Sequence, residues 1–422
     1  MFKKTITMVM CSMFICMAAF AQEAAQDENY QHPKPAEMNA AVFEEDSFDE
    51  AFAAQSAAIQ QVPGAITAIG ESPIGKEPTD RDYVLARYAA FQRAFGNAIS
   101  EIVSAKVQEL ETAVEQGMLS NNEGLKKADL DPKVAAMLND VIKKELQAKG
   151  VDLNDEAAVK AALPRIANSE SLKQKIATAS TLYVRGVVVA ASQTLGGKVG
   201  VLVYSTKGTE AVADALATGR EFPKFPAQQP LAEQFKLMAP AAVAASMGPR
   251  LYIDEKGEPV IVAFAYSQVK GNAAIARREA TLMANAAIRE FAGTMAAVSS
   301  AMENSSDLAT LEDQAGNFSN AATVSQTMKS LSSRAAAKMK FNGLRVVWSK
   351  RTKLASGQSI LVVASAWSPS SAKAAAASVA EADKAYQQSL QPRPAMQPQK
   401  TTPAVKKQNV HTDGYSAGGV IF

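Results

Sequence analysis

The sequence predicts an α+β protein made of two tandem modules, each a long helix packed on a small antiparallel sheet, with a helical insert in the first. Three observations carry that prediction. Ala86-Arg87-x-x-Ala90-x-x-x-Ala94 and Ala276-Arg277-x-x-Ala280-x-x-x-Ala284 repeat one spacing at the start of two long helical stretches. Each stretch leads to a glycine and two strand-like runs: Gly186-Val187-Val188-Val189 with Val201 to Ser205, and Gly343-Leu344-Arg345-Val346 with Leu361 to Ser365. Arg87 and Gly186 stand 99 positions apart, Arg277 and Gly343 only 66, so the first copy carries about 33 extra residues within an otherwise shared plan.

Residues 1–21 have the pattern of an export signal: Lys3 and Lys4, an apolar run from Ile6 to Phe20, then Ala19-Phe20-Ala21 as a small-x-small cleavage sequence. Met10 and Ile15 precede Cys11 and Cys16 where a lipid-attachment motif needs a small residue. Residues 22–62 form an acidic N-terminal segment in which Lys34 is the one base between Glu23 and Glu50. Within it Phe48 to Gln61 is expected to be a short helix, with acids at its start suiting the helix dipole and Pro63-Gly64 ending it.

The first module spans 63–222. Ala65 to Gly70 suits a strand, and Asp80 or Asp82 offers an N-cap for the long helix. In that helix Val84, Tyr88, Phe91, Phe95, Ile99 and Ile102 recur at helical steps, beside a row of small residues, Ala86, Ala90, Ala94 and Ala98. The insert, 120–182, contains helical runs near Pro132 to Lys149, Glu156 to Leu163 and Glu170 to Thr181. The following strands are apolar on both parities, as covered strands are, and Gly196-Gly197 joins them as a hairpin.

Pro223, Pro226 and Pro230 open a linker, 223–248, with a connecting helix expected over Leu231 to Ser246 and a domain boundary near residue 225. The second module, 249–388, begins with a hairpin through Glu255-Lys256-Gly257. Its long helix carries the stripe Ala280, Ala284, Ile288, Phe291 and Met295, and Gly357 turns its last hairpin. A Pro-, Gln- and Lys-rich tail, 389–422, has the composition of a disordered segment and ends in Val420-Ile421-Phe422.

Composition excludes several chemistries. The 44 basic residues fall to 42 without Lys3 and Lys4, equal to the 42 acids, so the exported chain is formally neutral and has no general attraction for nucleic acid. Both cysteines lie in the signal, which leaves no disulfide, thiolate nucleophile or Cys-ligated metal beyond it. The two histidines, His32 and His411, fall in the terminal segments, so no imidazole-based triad or metal cage is expected in the core. Gly196-Gly197-Lys198 lacks the first glycine of a phosphate loop and is expected to be a turn. Ser370-x-x-Lys373 has serine-lysine acyl-enzyme spacing, but Pro369-Ser370-Ser371 is also a helix start. Trp348 and Trp367 either pack in the core or offer a partner-binding face. Arg87 and Arg277 form either a recurrent ion pair or solvated helix charges.

The Ala-Arg-x-x-Ala-x-x-x-Ala helix start, followed by Gly-Val/Leu-x-Val and a Val-rich strand, resembles the bacterial superfamily of small surface lipoproteins and flagellar outer-membrane ring accessory proteins. The resemblance covers about half the chain in two copies. It implies a compact module of helix on antiparallel sheet and a role in envelope or ring assembly rather than catalysis. The function expected is therefore that of an exported, periplasmic or extracellular, non-enzymatic envelope protein acting in assembly or protein-protein association. Its expected partner is an envelope protein or a second copy, with no cofactor, no metal and no membrane span after signal cleavage. The alternatives are a hydrolase using carboxylates or a Ser-Lys pair, and a small-ligand module with a tryptophan-lined cleft between the copies.

Overall fold

In the computed structural model, the structure describes residues 30–33, 47–115, 132–182, 185–236, 238–303, 341–354 and 356–390. The chain is α+β, with two antiparallel sheets. Two short helices, α1 (Phe48–Ala51) and α2 (Ala53–Gln60), precede strand β1 (Ile66–Pro73) and the long helix α3 (Tyr83–Glu115). The insert supplies α4 (Pro132–Ala148), α5 (Glu156–Ala167) and α6 (Glu170–Leu182). Strands β2 (Val188–Leu195) and β3 (Lys198–Ser205) and helix α7 (Lys207–Thr218) close the first module. Next come α8 (Leu231–Lys236), α9 (Pro240–Ala245), β4 (Gly248–Ile253), β5 (Pro259–Gln268), the second long helix α10 (Ala273–Glu303), β6 (Arg345–Lys353), β7 (Ser359–Trp367) and α11 (Pro369–Leu390). Residues 1–21, where an export signal is expected, His411 and the C-terminal Val420-Ile421-Phe422 lie outside the described residues.

The duplication extends to single residues. One sheet has the order β1-β3-β2; the other, β4-β5-β7-β6, contains the same arrangement as β5-β7-β6 with one strand added. Register matches as well: β1 pairs with β3 from Ile66↔Ser205 to Pro73↔Lys198, and β5 with β7 from Ile261↔Trp367 to Gln268↔Ile360. Both hairpins carry a bulge three residues after the module glycine, at Val189/Ala191 and at Val346/Trp348. Gly186 (φ 75°) and Gly343 (φ 83°) are both left-handed, where a side chain is strained. A Cβ on Gly186 would stand 2.6 Å from Glu210 N, and one on Gly343 2.3 Å from Ser371 O, so each glycine abuts the backbone of the helix that ends its module. Those helices start alike. Thr206 and Thr209 exchange side-chain and backbone hydrogen bonds, as do Ser368 and Ser371. This equivalence aligns Ser205 with Trp367, two positions on from the match of Ser205 to Ser365 that the sequence runs suggest. The turn between β6 and β7 absorbs the added residues.

The small-residue rows set how closely helix and strand approach. Ala90, Ala94 and Ala98 are fully buried, and a Cβ on Gly70 would fall 2.1 Å from Ala94 O and 2.3 Å from Ala98 N. Helix α3 therefore rests on β1 at backbone contact. At the matching positions the second copy has Ala265 and Ile288, larger in both cases and also fully buried.

The two modules do not have separate cores, contrary to the side-by-side arrangement expected from duplication. One cluster joins Phe91, Ala94 and Ile99 of α3, and Val201 and Val203 beneath them, to Tyr252, Phe264 and Val362 on the face of the second sheet turned away from α10. The other joins Ile288, Phe291 and Ala263 to Val188, Leu202 and Tyr204 on the face of the first sheet turned away from α3. Each bare face is closed by the short helix pair preceding its module: Phe48, Phe52 and Ile59 in the first, Phe235, Met238 and Val243 in the second. The repeated unit thus begins earlier than the sequence motif that reveals it. The described residues up to Ala376 belong to one compact unit, and Phe225 N–H donates to Gly257 O at 3.0 Å. Residues 377–422 form a second unit, of which the later turns of α11 are described.

Several element boundaries depart from expectation. The connecting helix over Leu231 to Ser246 is two helices, because Pro240 has no N–H to donate and holds Ala239 extended (ψ 150°). Phe52 interrupts the expected Phe48 to Gln61 helix. Helix α5 passes through Pro164 to Ala167, since burial of Leu163 and Ile166 outweighs the missing hydrogen bond near its end. The insert is a helical elaboration: Leu138, Ile142, Leu172 and Ile176 bury against Leu110 and Val114 of α3. Among the described residues, no helix is long and apolar enough to cross a membrane.

Candidate functional site: an apolar cleft between the long helices

The aromatic stripe of α3 does more than pack on a sheet. Tyr88, Phe91 and Phe95 stack in sequence with centroids 6.3 Å apart, and only Phe91 is fully covered. Across from them Ala287, Phe291 and Met295 of α10 form a second wall, and Val187 and Pro249 form the floor. The cleft between the two helices encloses about 810 Å³, a figure that includes space open to solvent. Gly248 makes it possible: at φ 79° it lies so close to Phe91 that a Cβ would stand 2.1 Å from the ring.

Polar groups are few: Tyr88, Gln92, Glu290 and Thr294. Burial pushes the Tyr88 hydroxyl up to about 12, with the negative charge of Glu290 adding to the effect, so the phenol stays protonated and bonds Gln92. The Thr294 hydroxyl is satisfied within its own helix, donating to Glu290 O at 2.9 Å. The α3 stripe continues past the cleft as an exposed aliphatic residue: Leu85, one turn before Tyr88, is 66 % exposed. Such a surface grips apolar groups by desolvation and has no nucleophile, base pair or metal-binding set in its lining.

The residues singled out in the sequence are distributed as follows. Ala90, Ala94, Ala276, Ala280 and Ala284 are buried helix-face residues, Ala86 is half-buried, and Gly186 and Gly343 hold the module turns. Arg87 and Arg277 part company. Arg87 is buried and has no ion pair among the described residues: Nε donates to Thr194 Oγ1 at 2.8 Å, Nη1 donates to Ala244 O at 3.0 Å, and the guanidinium lies 5.4 Å from the Tyr266 ring centroid. Arg277 is exposed. The divergence follows from the added elements, since α9 and β5 of the second copy close over Arg87 whereas Arg277 faces outward.

Neither tryptophan lines the cleft. Trp348 is half-buried against Phe235 and Phe264, and Trp367 is buried between Phe222 and Phe341. Ser370 Oγ lies 3.1 Å from Ser368 Oγ in the cap of α11, and both Ser370 and Lys373 are exposed with no hydrogen bond between them. Gly196 and Gly197, both left-handed, form the β2–β3 turn. His32 does not sit in a loose tail: its ring packs edge-on to Tyr204 and Phe225, because Tyr30 to Pro33 lies against the first sheet. Gln92, Glu290, Thr294 and Pro249 were not legible as cleft residues, because the inter-helix distance is a tertiary quantity. The half-polar interruption of the aromatic stripe at Gln92 is the one local signal.

No known family model matches the chain, and no curated protein matches it. Among solved structures it is similar to the 2.3 Å crystal structure of a hypothetical protein from Francisella tularensis, at 17% sequence identity and a TM-score of 0.47, covering 81% of this chain and 96% of that one.

Proposed function

We propose that the protein is an exported, non-enzymatic envelope component that associates with a partner protein by taking an apolar segment of it into the cleft between α3 and α10. The single observation that carries this reading is the cleft itself: a predominantly apolar trough walled by Tyr88, Phe91, Phe95, Phe291 and Met295, with Gln92, Glu290 and Thr294 as its other polar side chains. Leu85 extends the aromatic stripe of α3 beyond the trough, so the apolar surface runs on past it and suits a side-chain row on a protein segment. Export rests on the Lys3-Lys4 and Ala19-Phe20-Ala21 signal pattern, and the assembly role on the duplicated motif and its family resemblance.

A photo-crosslinking residue placed at Gln92 or Thr294 tests the cleft in the native envelope. The expected result is one discrete adduct from these two positions, absent from a control at the exposed Arg278, and abolished when Ala287→Trp fills the trough. Equal crosslinking at all three positions, or adducts that survive A287W, would overturn the proposal.

A further inference from the structure

We propose that Arg250 and Tyr252 form a binding site for one small monovalent anion of the halide class at the junction of the two modules. Arg250 lies on β4, is 7% exposed, and has no carboxylate within ion-pair distance among the described residues. The ring of Phe264, 5.2 Å away, covers one face of the guanidinium, and the Tyr252 hydroxyl accepts a hydrogen bond from it. Nε has no acceptor. A guanidinium taken out of water with a donor unmatched is costly, and an anion at its edge offsets that cost.

Its surroundings specify what kind of anion. The cavity encloses about 280 Å³ including space open to solvent, and its other walls are Pro33, Val189, Ala190 and Leu251, which favour a weakly hydrated ion. Tyr252 accepts from Arg250 and so keeps its own O–H to donate. Tyr204 contributes no further donor, because its hydroxyl lies 3.2 Å from His32 Nε2 and is used there. His32 Nδ1 lies 3.0 Å from Pro33 O, so one tautomer, with hydrogen on Nδ1, satisfies both contacts. The imidazole is neutral near pH 7, burial having lowered it to about 4. One positive charge and one O–H donor match a single monovalent ion, and leave a dianion such as phosphate with charge uncompensated.

The test uses the full chain at pH 7.5 and constant ionic strength, comparing sodium bromide with sodium gluconate. Bromide is expected to raise the unfolding midpoint saturably where gluconate does not, and bromide-soaked crystals should give an anomalous peak beside Arg250. Arg250→Met should abolish the specific response. Tyr252→Phe, which keeps the charge, should weaken bromide binding about tenfold, the equivalent of one hydrogen bond to an ion. An identical response to both salts, an R250M chain that still responds, or a bromide peak elsewhere would each overturn the proposal. Should R250M fail to fold, the Y252F titration and the anomalous map decide alone.

Discussion

The two modules share strand order, register, bulge and helix cap, yet they have diverged wherever one of them meets the other. Arg87 and Arg277 occupy the same step of the repeated helix start, and one is buried in a three-way junction while the other faces solvent. Gly70 and Ala265 occupy the same strand position, and only the first brings helix backbone onto strand backbone. Tyr204 and Ala366 are likewise equivalent, and only the tyrosine reaches a histidine. Duplication supplied the frame; burial of one copy against the other decided which side chains at equivalent positions became structural. Strand order, register, bulge and helix cap are therefore kept in pairs, whereas the Gly70 contact and the features at the junction are single.

The sharpest way to break this comparison is at the helix-strand contact. A methyl group on Gly70 would need the space of Ala94 O and Ala98 N, and neither backbone atom moves without lifting α3 from β1. Gly70→Ala is expected to destabilise by about 3–5 kcal/mol or prevent folding, well beyond the usual cost of overpacking. Ala265→Gly at the equivalent position deletes one buried methyl and loosens a strand, for about 1–2 kcal/mol. Urea denaturation of the two variants checks the asymmetry, and similar losses would mean that the helices approach their strands equally closely.

The next contrast concerns the paired arginines. Arg87→Ala leaves Ala244 O and Thr194 Oγ1 without their donor and opens a void over the Tyr266 ring. An expected loss of about 3 kcal/mol follows from stranded buried acceptors and lost packing. Arg277→Ala removes an exposed side chain and should change stability by less than about 0.5 kcal/mol. Equal effects in thermal unfolding would contradict the assignment of Arg87 as a junction residue.

The division between module and junction also explains what was legible in the sequence. Helical stripes, hairpin turns, the glycines Gly186 and Gly343 ahead of their strand pairs and the insert all follow from local periodicity and turn chemistry, and the structure has them close to their expected places. The two shared cores, the buried Arg87, the anchored His32 and the cleft all depend on which face of one copy meets which face of the other. No single-strand pattern encodes that pairing. Arg250 was a clue in retrospect: a lone charge inside the wholly buried run Gly248–Ile253 cannot be a solvated residue, but nothing local says what faces it.

The smallest effect separates the copies by pH. His32 meets Tyr204 of the first sheet and lines one cavity with Arg250 and Tyr252 of β4, and the second copy has Ala366 in place of Tyr204. Burial lowers the imidazole from 6.5 to about 4, outweighing hydrogen bonds to the Pro33 and Leu251 backbone that act to raise it. The folded state thus favours the neutral ring. The stability this contact supplies is complete above pH 6.5, declines as pH falls through the interval to about 4, and is gone below it. The residue is partly exposed, so the Tyr30 to Pro33 segment can release locally, and the loss stays under about 3 kcal/mol. Hydrogen exchange in Tyr30 to Pro33 and in β3 should accelerate between pH 6.5 and 4.5, after correction for intrinsic rates, while β7 stays protected. His32→Gln, which cannot gain the charge, should flatten the profile; a pH dependence that survives H32Q would place the titrating group elsewhere.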